Sequence, residues 1–429
     1  MALAPDVAIS TDPHPVEDAG TQVHAPGLNY FVFALFFIFG GITSLNDVII
    51  PKLKELFTLS YFEASLVQFC FFIAYAVVGI PGARLVKRLG YMRGAVAGLL
   101  TMMVGCLLFI PASQTATFGV FLFAYFILAT GVVLVQIVAN PLISLLGPAA
   151  TTHSRLTFAQ AFNSLGTTIF PLVGAGIILG SIANVTADEL SGAALTAYRQ
   201  TESAIITNTY LFLAAALAVV AGVVWLFRNR LQGEKHETTT LREGLGLLKR
   251  PRFGYGAACI FLYVGAEVAI GSFIINYLAQ DTVLGQPESA IGWMVTLYWL
   301  GALVGRFIGS AVMRMVSPGK VLAFNAIGAI VLILVSANTT GAVAGYSLLL
   351  VGLMNSIMFP TIFALACEKL GPRAADGSGI INVAIAGGAI IPALYGALAD
   401  GIGLAAALAI PAICYAIIAG FGIFARRPA

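Results

Sequence analysis

The stretch RNRLQGEKHETTTLREG (228–244) is the longest polar interruption in the apolar part of this chain, and its position decides the architecture. Before it lie six apolar runs, at 29–50, 62–83, 94–112, 117–146, 156–182 and 206–227. After it lie six more, at 254–279, 289–313, 319–338, 341–367, 375–399 and 403–425. A helix needs about 20 mostly apolar residues to cross a bilayer. The pattern therefore predicts an all-α membrane protein of twelve transmembrane helices in two six-helix, pseudo-symmetric halves. The organisation expected is a disordered cytoplasmic tail at 1–28, halves at 29–227 and 253–429, and a cytoplasmic linker at 228–252.

Composition agrees. Of 429 residues, 59% are hydrophobic and 10% charged, against about 25% charged in a soluble domain. Too few charges exist to build a water-facing shell, which excludes an ordinary soluble enzyme. No basic patch interleaved with aromatics suggests nucleic acid. Cys70, Cys106, Cys259, Cys367 and Cys414 sit in apolar runs without a CxxC, so neither a disulfide framework nor a metal site is implied.

Basic residues set the orientation. With the N-terminus inside, 19 of the 22 Lys and Arg fall on cytoplasmic loops, span ends or the C-terminus; Lys52, Lys54 and Arg199 are the others. Both termini are then cytoplasmic, in a bacterial inner membrane. Arg306, about two turns inside span 8, is expected to snorkel to the cytoplasmic face.

Segments recur about 220 residues apart. PGARLVKRLGYMRG (81–94) follows span 2 and GSAVMRMVSPGKVL (309–322) follows span 8. VQIVANPLISLLGP (135–148) loosely matches NSIMFPTIFALACEKLGP (355–372), and TIFPLVG (168–174) matches AIIPALYG (389–396). Two copies of six helices related by an axis along the membrane normal allow a site between them to open to either side.

Polar residues in hydrocarbon are costly and usually face the bundle interior. Gln136 and Asn140 are four apart, Gln160 and Asn163 three apart, so each pair shares a helix face. Amides supply donors and acceptors without net charge, which suits a polyhydroxylated ligand such as a sugar. They also serve as packing links between helices, and both readings stay open. Asn46, Asn276, Asn355 and Asn382 complete the candidate substrate-binding set.

Two carboxylates stand out. Asp47 lies near the outer end of the first run, although Pro51 and KLKELF (52–57) suggest that the helix continues. Glu267 is mid-run in span 7. Either can exchange a proton in a carrier, or act as a helix-end or structural hydrogen-bonded acid.

SLNDVIIPKLKELFTLSYFEASLVQFCFF (44–72), ANPLISLLGP (139–148) and RLTFAQAFNSLGTTI (155–169) resemble the fucose–proton symporter family of the major facilitator superfamily, including its glucose/galactose branch. The resemblance implies proton coupling at Asp47 of the LND motif. It also implies that Gln136 replaces a second coupling acid, with Glu267 standing where the fucose symporter has Gln. Lys87 stands where the superfamily's loop motif carries Asp, so the usual salt-bridge gate is altered.

The expected function is import of a hexose-class monosaccharide by cation-coupled symport with alternating access, the proton being favoured over sodium. An uncoupled carrier, a drug efflux antiporter and a non-transporting sugar sensor are the alternatives. A membrane-embedded enzyme is disfavoured, because no span holds a His and no loop is large enough for a domain. The expected partners are the sugar, the coupling ion and membrane lipid, for a monomer without cofactor, metal or nucleic acid.

Overall fold

A computed structural model of the chain describes residues 27–57, 61–115, 117–178, 191–229, 231 and 241–426. Apart from Gly27 and Leu28, the expected tail lies outside the described residues, as does most of 230–240.

Twelve long helices follow in order among the described residues: α1 (Leu28–Phe57), α2 (Tyr61–Leu89), α3 (Tyr91–Thr115), α4 (Phe118–Leu145), α5 (Thr152–Ile178), α6 (Gly192–Leu226), α7 (Pro251–Ala279), α8 (Gly292–Val312), α9 (Pro318–Asn338), α10 (Gly341–Ala366), α11 (Gly371–Ile402) and α12 (Leu404–Phe424). Ten of these are long and apolar enough over described residues to cross a membrane. The other two, α1 and α5, run for 30 and 27 residues. Large apolar side chains such as Phe212, Leu226 and Phe324 are exposed on the outside of the bundle, as a lipid-facing surface requires.

Hydropathy locates the helices and misjudges some lengths. The helix α1 continues through Pro51 to Phe57. The helix α6 begins at Gly192 rather than near 206, because GAALTAYRQTESAI (192–205) is made largely of good helix formers while being too polar to count as a span. The linker is not featureless: its second part forms a short helix (Leu241–Leu245) and a 3-10 turn (Gly246–Lys249) that buries Leu247 completely.

Packing repeats between the halves. The pairs α1–α5, α2–α4, α3–α4 and α3–α6 recur six helices later as α7–α11, α8–α10, α9–α10 and α9–α12. A shared device holds the first pair in each half: a Cβ on Gly166 would lie 2.1 Å from the Phe37 carbonyl oxygen, and one on Gly387 would lie 2.0 Å from that of Phe261. Small residues let these backbones touch. The halves meet along two seams, α2 against α11 and α5 against α8.

The helix α10 is broken. Its first part ends at Asn355 and its second begins at Met358. Pro360 has no N–H to donate to the carbonyl of Ser356, four residues back, so that oxygen is free for another donor. Backbone freed at membrane depth persists only where protein groups satisfy it.

Candidate functional site

The freed carbonyls of α10 organise a polar cluster. Arg306 Nε donates to Ser356 O at 3.2 Å, and the Tyr263 hydroxyl lies 3.1 Å from Asn355 O. That hydroxyl also lies 2.7 Å from Glu267 Oε1, one turn further along α7. Asn355 Nδ2 donates to the Tyr298 hydroxyl at 2.7 Å, and that hydroxyl lies 3.3 Å from the Glu267 backbone carbonyl. Tyr263, Tyr298 and Asn355 are buried and Glu267 is half-buried. Glu267 thus sits in a ring of neutral donors and acceptors contributed by α7, α8 and α10.

A line of glycines fixes the geometry. A Cβ on Gly305 would lie 2.3 Å from the Ser356 hydroxyl, and one on Gly309 would lie 2.1 Å from the Ile357 side chain. This spacing of four residues lays α8 directly on the break in α10 and turns the neighbouring Arg306 towards α5. There Arg306 Nη1 donates to Gln160 O at 2.9 Å and to the Ser164 hydroxyl. Arg306 is 8% exposed. The expectation that it snorkels to the cytoplasmic face is therefore corrected: three protein oxygens on α5 and α10 satisfy the guanidinium inside the bundle, so it gains nothing by reaching for water.

The remaining candidates separate. Gln136 Nε2 donates to the Tyr75 hydroxyl at 2.9 Å, tying α4 to α2. Asn163 Nδ2 lies 3.4 Å from the Phe36 carbonyl on α1. These two amides act as links within their half. Gln160 is buried and joins the cluster through its backbone carbonyl. Asn140 is buried with its Oδ1 unpartnered among the described residues, so it retains an acceptor. Asn382 Nδ2 donates to Ser378 O in its own helix, and its Oδ1 is likewise unpartnered. Asn276 is exposed towards the far end of α7. Asn46 and Asp47 belong to the backbone of α1, and their side chains lie outside the described residues.

Towards the linker end the seams are closed by residues of which the sequence had singled out Lys87 as part of a gate. Lys87 Nζ lies 2.9 and 3.1 Å from the two oxygens of Asp376, joining α2 to α11. A Cβ on Gly379 would lie 2.6 Å from the Gly79 carbonyl oxygen, so the two helices touch backbone to backbone. On the other seam Ser154 and Ser310 exchange bonds: Ser154 Oγ donates to Ser310 O at 2.8 Å and Ser310 Oγ to Ser154 O at 3.0 Å. Arg314 Nε adds a bond to Ser154 Oγ at 3.2 Å. His153 lies 3.7 Å from Glu368, which also pairs with Arg252. The sequence had marked Lys87, as standing where the superfamily's loop motif carries Asp, but not its partner Asp376; nothing in a serine at a span end marks a seam.

Residues 32–393 match the family described as Major Facilitator Superfamily. The chain is 46% identical over 394 residues to the glucose/galactose transporter of Brucella abortus, covering 92% of each chain. It is 33% identical to the L-fucose-proton symporter of Escherichia coli, again over 92% of each. The crystal structure of FucP, a Major Facilitator Superfamily transporter in the outward conformation, superposes with a TM-score of 0.87 at 31% identity, covering 94% of this chain and 100% of that one.

Proposed function

Given that the chain belongs to the Major Facilitator Superfamily, we propose that it imports a hexose-class monosaccharide across the bacterial inner membrane by proton-coupled symport. The family and its named relatives make it a multi-pass transporter and not an enzyme. The Glu267 cluster carries the reading of how it works. A carboxylate in mid-helix, held by a tyrosine hydroxyl 2.7 Å away, is a group that takes up and gives back a proton as its surroundings change.

The division of labour follows from the chemistry. Asp47 and Glu267 are the coupling acids, one in each half. Unsatisfied amide oxygens, such as those of Asn140 and Asn382, suit sugar hydroxyls, which donate hydrogen bonds without bringing charge. The halves 29–227 and 253–429 rock about the seams, with the linker at 228–252 in the cytoplasm. The basic residues support this orientation, as 19 of 22 fall on the linker side. Closure of both seams there, together with the likeness to FucP in its outward conformation, supports a state open to the outside.

The test is uptake into proteoliposomes of D-glucose, D-galactose and L-fucose under an imposed proton gradient, then a sodium gradient. The expected result is accumulation of one or more sugars above equilibrium, driven by the proton gradient and lost in Asp47→Asn and Glu267→Gln. Accumulation driven only by sodium would replace the proton in this reading. Equilibration without accumulation would make the protein a uniporter, and no flux would return the sensor and efflux alternatives.

A further inference from the structure

Arg306 is a buried cation whose three hydrogen-bond acceptors are all neutral: two backbone carbonyls and a hydroxyl. Among the described residues no carboxylate pairs with it within 4 Å. Among the described residues Glu267 is the carboxylate tied to the same break in α10: its partner Tyr263 binds the Asn355 carbonyl, next to the Ser356 carbonyl that Arg306 holds. Other charged groups on the surrounding helices, Asp400 aside, have partners of their own. On α5, His153 faces Glu368 and Arg155 binds the carbonyls of Ser144 and Pro148. On α11, Asp376 pairs with Lys87 and Asp400 lies at the helix end. The titratable group on α10 is Tyr346, near its far end. Tyr263 on α7, Tyr298 on α8 and Tyr415 on α12 are the remaining titratable neighbours of Glu267.

We propose that Arg306 is a positioning residue that couples the charge on Glu267 to closure of the α5–α8 seam. While Glu267 is ionised, the guanidinium is compensated and clamps α5 to α8 and α10. When an outside proton bonds to a Glu267 oxygen, the carboxyl becomes neutral and Arg306 is left a buried cation without a counter-charge. Such a charge is strongly unfavourable, and it is relieved when the seam parts and water reaches the guanidinium. Loading a proton from outside therefore loosens the linker-side gate, which is the direction symport requires. Release of the proton on the linker side restores the carboxylate and re-forms the clamp.

This inference rests on the reading that Glu267 takes the coupling proton, and its test is independent of which sugar is carried. Ser310, 4% exposed in the closed seam, is replaced by Cys as a reporter. Its modification by a membrane-impermeant maleimide is followed from the linker side of oriented vesicles at pH 6 and pH 8. With Arg306 and Glu267 intact, labelling is expected about tenfold faster at pH 6, after correction for reagent reactivity on unfolded protein. Glu267→Gln should label fast at both values. Arg306→Gln should remove the dependence on pH, while Arg306→Lys, which keeps the charge but not the fork of donors, should retain it. A merely structural role would make Lys and Gln behave alike. An unchanged pH dependence in Arg306→Gln, or its loss in a folded Arg306→Lys, overturns the proposal. Fluorescence-detected size exclusion identifies variants that fail to fold. Sugar uptake on the same vesicles separates the two readings: pH-gated labelling without flux sinks the transport assignment and leaves the coupling standing, and flux without pH-gated labelling does the reverse.

Discussion

The two seams between the halves are related by the same pseudo-symmetry and are built from different chemistry. The α2–α11 seam is a backbone contact at Gly79 and Gly379 finished by the ion pair of Lys87 with Asp376, whose side chains are 8% and 9% exposed. Each charge there meets its opposite within hydrogen-bonding distance. The α5–α8 seam has reciprocal serine bonds and a guanidinium bound to neutral oxygens. Its counter-charge lies elsewhere, on α7. A seam that balances its own charge is indifferent to the rest of the protein. A seam that borrows its balance responds to whatever alters the lender. The first is suited to a latch and the second to a sensor.

The comparison can be broken most forcefully at the latch. Replacing Asp376 by Ala removes the carboxylate that faces a buried ammonium, a change that costs about 3–5 kcal/mol. It should raise maleimide labelling of a linker-side cysteine more than a hundredfold and cut uptake sharply, with the Lys87→Asp/Asp376→Lys exchange recovering most of both. If the exchange recovers nothing, mutual attraction is not what the pair supplies. Gly379→Val comes next. Its side chain meets Ala83 and the Gly79 backbone, and overpacking of this kind costs about 1–3 kcal/mol, to be seen as a lower Tm in detergent. Ser164→Ala removes an acceptor from a charged guanidinium, about 1.5–3 kcal/mol, and so ranks between Asp376→Ala and Ser310→Ala. It leaves Arg306 two carbonyls and should shift the pH midpoint of labelling without abolishing the pH dependence. Ser310→Ala removes a neutral hydrogen bond from the sensor seam, about 1 kcal/mol. Its effect on uptake should be far below that of Asp376→Ala, and equal effects would erase the distinction between the seams.

Much of this was legible in the sequence because the bilayer imposes it. Span length, the halves flanking 228–244 and Glu267 in mid-run all follow from what hydrocarbon tolerates. What failed was whatever depended on a neighbour from another part of the chain. Two turns inside a span, Arg306 looks like a residue that reaches for water; its burial depends on Gly305, the Pro360 break and α5, which no local pattern joins. The spacing of Gln136 with Asn140, and of Gln160 with Asn163, puts each pair on one helix face. It could not tell that Gln136 bonds Tyr75, or that Gln160 meets Arg306 through its backbone carbonyl. Hydropathy also treats Ser154 and Ser310 as filler, since a hydroxyl becomes informative only when its partner is known.

Pro360 carries a consequence for anyone who would stabilise this protein. Exchanging it for Ala would restore an N–H able to reach Ser356 O and mend α10, the kind of change that thermostability engineering selects readily. The same N–H would compete with Arg306 for its acceptor. The better-formed helix would then be the poorer machine part, holding its shape at the expense of the side chain that its flaw was there to receive.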